Sequence, residues 1–267
     1  MGVFKLREKI IKKADYSGYS RVDRKQYTIL EFSWSDFSKT EQDTIYKEAD
    51  ILYNKADETG ANTGLPRDPE KKYIDSLSGV IAEFATTKFF NEYLNDKWNA
   101  KRPIVTTTHN QVDIALTYKD TNFKVEVRSS FVQNGIEFAL YSTNREGLTY
   151  FDVLGTYKQT VHKKDFESVK DLFMRVLFDI NGESSDRFKE DRKFYINRKH
   201  FINKYINKDE PFYIIGGMSG EAIERENYTK NLSSKDLSEY ISDITEGEYH
   251  VSQISKISDI KKLSELR

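Results

Sequence analysis

The run Phe123-Lys124-Val125-Glu126-Val127-Arg128 constrains the fold more than any other stretch of the chain. Side chains alternate along a strand, so Lys124, Glu126 and Arg128 share one face and Phe123, Val125 and Val127 the other. The apolar face is predicted to be buried, which leaves the charged face to line a site or meet water. A second short run, Val112-Asp113-Ile114-Ala115-Leu116, lies just ahead, across the turn-like Lys119-Asp120-Thr121-Asn122. A hairpin there brings Asp113 beside Glu126. Two carboxylates with a cation close by suit an oxygen-preferring divalent ion.

The rest of the chain narrows the class. Its 267 residues make one elaborated domain or two small ones, and 17 Tyr with 17 Phe can fill a substantial core. A net charge of -1 argues against nucleic-acid binding through overall basicity, although local patches count for more than the total. With no cysteine, disulfides and Cys-containing zinc sites are excluded. His109, His162, His200 and His250 are scattered without metal-ligand spacing, so a bound metal is expected on oxygen ligands. The charged N-terminal segment does not resemble a signal-peptide core, Leu6 weakens a myristoylation reading, and no apolar run approaches a membrane span. A soluble cytoplasmic protein without membrane contact is the expectation.

Apolar spacing at Ile45, Ala49, Leu52 and Ala56 predicts a helix over about 40–57, capped by Ser38 or Thr40. Gly60, Gly64, Pro66 and Pro69 then mark a loop. The expected division is a mainly helical N-terminal extension over 1–70, for recognition or dimerisation, and a main domain over 71–267. A second helix is predicted over about 73–94. Leu77, Val80, Ile81, Phe84, Phe90 and Leu94 form its stripe, and Glu83 lies at the edge between Gly79 and Thr87. Glu83 is either a boundary residue reaching water or a carboxylate that small neighbours let approach the sheet. Strands are expected over 135–141, 150–155, 212–217 and 249–254, and a helix over 166–177. This alternation predicts an α/β fold with a mixed central β-sheet flanked by helices.

At motif level, from about Tyr73 to Val132, the chain resembles the PD-(D/E)XK nuclease superfamily, which includes many restriction endonucleases. Glu83 matches that family's helix glutamate, Asp113 its first-strand acid and Glu126 the acid of its second motif, while Arg128 stands in the lysine position. The resemblance implies a restriction endonuclease-like core and a Mg²⁺-dependent endodeoxyribonuclease of restriction or genome-defence type, with Mn²⁺ able to substitute. Asp113 and Glu126 would be metal ligands, the Val127 carbonyl a third, and Glu83 would reach the metal directly or through water. Arg128 can orient a phosphate but stays protonated to about pH 12, so it cannot act as a general base. Either the metal, the substrate phosphate or a carboxylate then activates the water, or Lys124 or a lysine from elsewhere in the chain supplies the missing amine. Double-stranded DNA is the implied partner, and a homodimer is one arrangement for cutting both strands.

Plainer readings stand beside these. Asp113, Glu126 and Arg128 also suit an exposed cross-strand salt-bridge face, worth under about 1 kcal/mol. Between Ser185 and Lys208 eight basic residues oppose three acids; Arg187, Lys189, Arg192, Lys193, Arg198 and Lys199 are the candidate DNA contacts, interleaved with aromatics. A solvated helix with its aromatics turned inward explains the same pattern. His109 and Asn110 are candidate substrate contacts or merely solvated loop residues. Gly216-Gly217-Met218-Ser219-Gly220 lacks the Gly-Lys-Ser/Thr ending of a P-loop, and a strand-to-helix turn accounts for it. The alternative function is a catalytically lapsed DNA-binding or protein-interaction module on the same fold.

Overall fold

The computed structural model describes residues 7–17, 20–56, 58, 67–94, 98–103, 112–132, 135–136, 142–143, 152–159, 170–180, 196–225, 248–253, 258, 260 and 263. Two long strands open the chain, β1 (Arg7–Ser17) and β2 (Ser20–Phe32), paired antiparallel. This differs from the mainly helical extension expected there. The cause is visible in β2: Tyr27 and Ile29 enter one apolar cluster while Leu30 and Phe32 enter another. A strand buried on both faces reads as a continuous apolar run and hides its own alternation.

Helix α1 (Lys39–Lys55) follows, close to its predicted span. Ser38 starts it with a capping box: its hydroxyl accepts the Glu41 N–H at 3.3 Å, and the Glu41 carboxylate accepts the Ser38 N–H at 2.7 Å. Helix α2 (Pro69–Lys88) is capped by Asp68, which accepts the Glu70 N–H, and has proline in its first turn. It widens into a π-helical turn over Phe89–Tyr93 that buries Phe89 and Phe90. There the Asn91 side chain accepts the Ala100 N–H and donates to the Ala100 carbonyl. That amide closes the free edge of β3 (Trp98–Lys101), the outermost strand of the main sheet.

The predicted hairpin is present. β4 (Ile114–Tyr118) and β5 (Thr121–Val132) pair antiparallel across a turn in which Lys119 has φ +52°. β6 (Ser142–Thr143) and β7 (Asp152–Gln159) come next. The run Leu172–Asp179 forms β8, a strand and not the helix expected over 166–177. Met174, Val176 and Phe178 point into the cluster that includes α2, whereas Phe173 and Leu177 point into the opposite one. Apolar residues on both faces imitate helical spacing, and only the sheet resolves the choice.

A short helix α3 (Arg198–Phe201) continues as a π-helical turn to Asn207, then β9 (Phe212–Ser219), a helix α4 (Gly220–Arg225) and β10 (Glu248–Gln253). The main sheet has eight strands in the order β3-β4-β5-β8-β9-β2-β1-β6, and β7 pairs with β10 separately. It is mixed: β5 runs parallel to β8, and β4/β5, β8/β9 and β2/β9 are antiparallel. Gly216 and Gly217 lie within β9, where a side chain on Gly217 would come within 2.6 Å of the Phe173 carbonyl. Close strand packing therefore accounts for that glycine. Among the described residues no helix is long and apolar enough to cross a membrane. The strand expected over 135–141 falls mostly outside the described residues.

Candidate active site

The β4–β5 ladder ends at the pair Ile114–Val125, and the site begins one residue beyond it. Asp113 stands at that opening, where the Val127 N–H would otherwise lose its partner. The Asp113 Oδ2 accepts that N–H at 2.7 Å, so the carboxylate is fixed against β5 next to Glu126. On β5, Val125 and Val127 join the cluster beneath α2, and Ser129 meets Ser78 of α2 at 3.4 Å. Glu126 and Arg128 occupy the other face, as the alternation predicts. Their ion pair measures 3.1 Å from Arg128 Nη2 to Glu126 Oε1.

Glu83 approaches from α2 and is only 12% exposed. Gly79 is not the reason, because a methyl group there would meet nothing within 4 Å. Arg102, just beyond β3, is the residue that holds Glu83. It donates to Glu83 Oε2 through Nη2 at 2.7 Å and through Nε at 3.1 Å. The same Nη2 also bonds Glu48 of α1.

Electrostatics tie these groups into one site. Burial, then the neighbouring charge of Glu83, pushes Asp113 up to about 7, against the opposing effects of the Val127 N–H, Arg128 and Lys170. Burial also pushes Glu83 up to about 7, opposed by Arg102 and reinforced by Glu48 and Glu126. Glu83 thus acts as a like charge on Asp113, and Glu126 as a like charge on Glu83, a cost that a divalent cation would relieve. Among the described residues no three acids or histidines are grouped to enclose a metal ion. The chemistry of the donor set still fits Mg²⁺, which takes one or two carboxylates plus water and substrate oxygen.

Three further cations stand outside the sequence motif. Lys170, 1% exposed, lies two residues before β8 and acts on Asp113. Arg175, 5% exposed, lies beside Arg128 in the parallel β5–β8 register. Arg102 is the third. Lys170 and Arg175 both fall within 166–177, where the apolar spacing predicts a helix and so conceals them. No local pattern marks Arg102, whose partners come from two helices distant in sequence. The Lys124 side chain is exposed, and its backbone is bound to Asp171, with the Lys124 N–H donating to Oδ2 at 2.6 Å.

Of the candidate DNA contacts, His109, Asn110, Arg187, Lys189, Arg192 and Lys193 lie outside the described residues. Arg198 and Lys199 open α3 and are exposed. The Arg198 guanidinium lies 3.6 Å above the Tyr73 ring, while Phe201 and Tyr205 turn inward. No known family model matches the chain, and no curated protein or solved structure matches it.

Proposed function

We propose that the chain is a metal-dependent nuclease of the PD-(D/E)XK type, hydrolysing phosphodiester bonds of double-stranded DNA. The observation that carries this reading is the fixing of Asp113 against β5 by the Val127 N–H at 2.7 Å, beside Glu126. Asp113 and Glu126 would hold Mg²⁺ or Mn²⁺, with the Val127 carbonyl as a third donor. A cation bound there supplies a Lewis acid for the phosphate and lowers the pKa of a water. Arg128 orients the phosphate and offsets its developing charge; it takes no proton. Lys170 is the buried amine nearest in effect to Asp113 and fills the place of the motif lysine better than exposed Lys124. A restriction or genome-defence role and a homodimer are parts of the same reading.

One observation favours the lapsed-module alternative: Glu83 is already satisfied by Arg102 and Asp113 by a backbone N–H. The two readings part on DNA cleavage. Purified protein with Mg²⁺ or Mn²⁺ should cut at least one of unmodified, methylated or branched DNA, and the Asp113→Ala/Glu126→Ala variant should not. DNA binding without metal, unchanged in that variant and never followed by cleavage, would support the module instead.

A further inference from the structure

We propose that Arg102 serves Glu83 as a built-in counter-ion, so that the site takes a single divalent cation on Asp113 and Glu126 and Glu83 is a positioning residue, not a ligand. This rests on the metal-dependent reading above and corrects the part of it that the helix glutamate would play. Both Arg102 contacts fall on Glu83 Oε2, at 2.7 and 3.1 Å. The guanidinium is itself held on three sides. Glu48 of α1 accepts its Nη2, the Phe84 ring lies 4.0 Å from Cζ, and the side chain is only 14% exposed. Such a cation is bound too firmly to leave when a metal enters.

A fixed positive charge against Glu83 does two things. It engages one of the two carboxylate oxygens, Oε2, and it repels a second divalent ion from that end of the site. Asp113 instead accepts the Val127 N–H, and Glu126 pairs with Arg128 of the same strand. Arg102 also lies on the segment that leads from β3 towards Asp113, so its grip on α1 and α2 fixes where that segment starts. Glu83 thereby sets the position of the site without touching the metal.

Calorimetric titration with Mn²⁺ tests this without any measurement of cleavage. Wild type is expected to bind one ion per chain, Glu83→Gln to bind it within about threefold of wild type, and Asp113→Asn and Glu126→Gln to lose more than about thirtyfold. Arg102→Gln unmasks a carboxylate, so it should tighten binding or add a second ion, and the gain should vanish in Arg102→Gln/Glu83→Gln. A merely structural Arg102 would give only weakening. Two ions per wild-type chain, or Glu83→Gln losing as much as Glu126→Gln, would overturn the counter-ion role and leave the metal site standing. No binding to wild type would overturn both. Should Arg102→Gln not fold, the near-isosteric Glu83→Gln comparison decides alone, since Arg102 keeps Glu48 in that variant.

Discussion

The Asp113 carboxylate accepts the Val127 N–H at 2.7 Å, so one side chain takes over where the β4–β5 ladder ends at Ile114–Val125. Charge and hydrogen bonding can be separated here. Asp113→Asn keeps an acceptor for the N–H, whereas Asp113→Ala leaves a half-buried donor unsatisfied. The alanine variant should be less stable than the asparagine variant by about 1–3 kcal/mol in urea unfolding. Both should lose cleavage equally. Equal stability of the two would show that the Asp113–Val127 bond contributes nothing to the fold.

The pH dependence of stability follows from the same pair of acids. Glu83 and Asp113 have ordinary values of 4.5 and 3.8 and are pushed up to about 7 in the folded chain. The folded state therefore holds protons that the unfolded state has released, and stability from this pair is full below about pH 4 and lost as pH rises through about 7. Measured against Glu83→Gln/Asp113→Asn, metal-free wild type should lose melting temperature from pH 5.5 to pH 8. Mn²⁺ competes with the Asp113 proton and should restore more at pH 8 than at pH 5.5. A relative stability that rises across this window would contradict the assignment.

Lys170 opposes the upward push on Asp113. Removing its charge in Lys170→Met should raise the Asp113 pKa further and move the acid limb of the cleavage profile to higher pH. Lys170→Arg should restore the position of the limb, since it restores the charge. An unmoved limb in Lys170→Met would separate Lys170 from Asp113.

The strand assignment of β8 makes its own prediction. Phe178 is fully buried, with its ring 5.0 Å from Phe212, 5.2 Å from Tyr205 and 5.7 Å from Phe131. Phe178→Ala should cost about 3–5 kcal/mol in chemical unfolding, the usual range for a large ring deleted from a core. A cost below about 1 kcal/mol would mean that this ring is not in the core.

The legible parts of the sequence are those with one polar face. In β5 the alternation of Lys124, Glu126 and Arg128 with Val125 and Val127 gave the strand, its polarity and its hairpin partner. In α1, Ser38 is the one of the two candidate caps, Ser38 and Thr40, that starts the helix. Elements buried on both sides escape such a reading, because the end of β2 and most of β8 place apolar residues on both faces and periodicity then has little to distinguish. Of the candidate site, Glu83, Asp113, Glu126 and Arg128 are the residues that local pattern and the motif resemblance name. Arg102 and Lys170 are not among them, since what brings them there is tertiary: one joins two helices, and the other enters just ahead of a strand whose spacing predicts a helix.

The most direct measurement is single-turnover cleavage of a mixed DNA pool, unmodified, methylated and branched, by wild type and by Glu126→Gln with and without Mg²⁺. The expected result is Mg²⁺-dependent scission by wild type, abolished by chelation and reduced at least about hundredfold in Glu126→Gln. Equal rates for the two proteins, or no scission by wild type on any substrate with Mg²⁺ or Mn²⁺, would contradict a catalytic site built on Asp113 and Glu126.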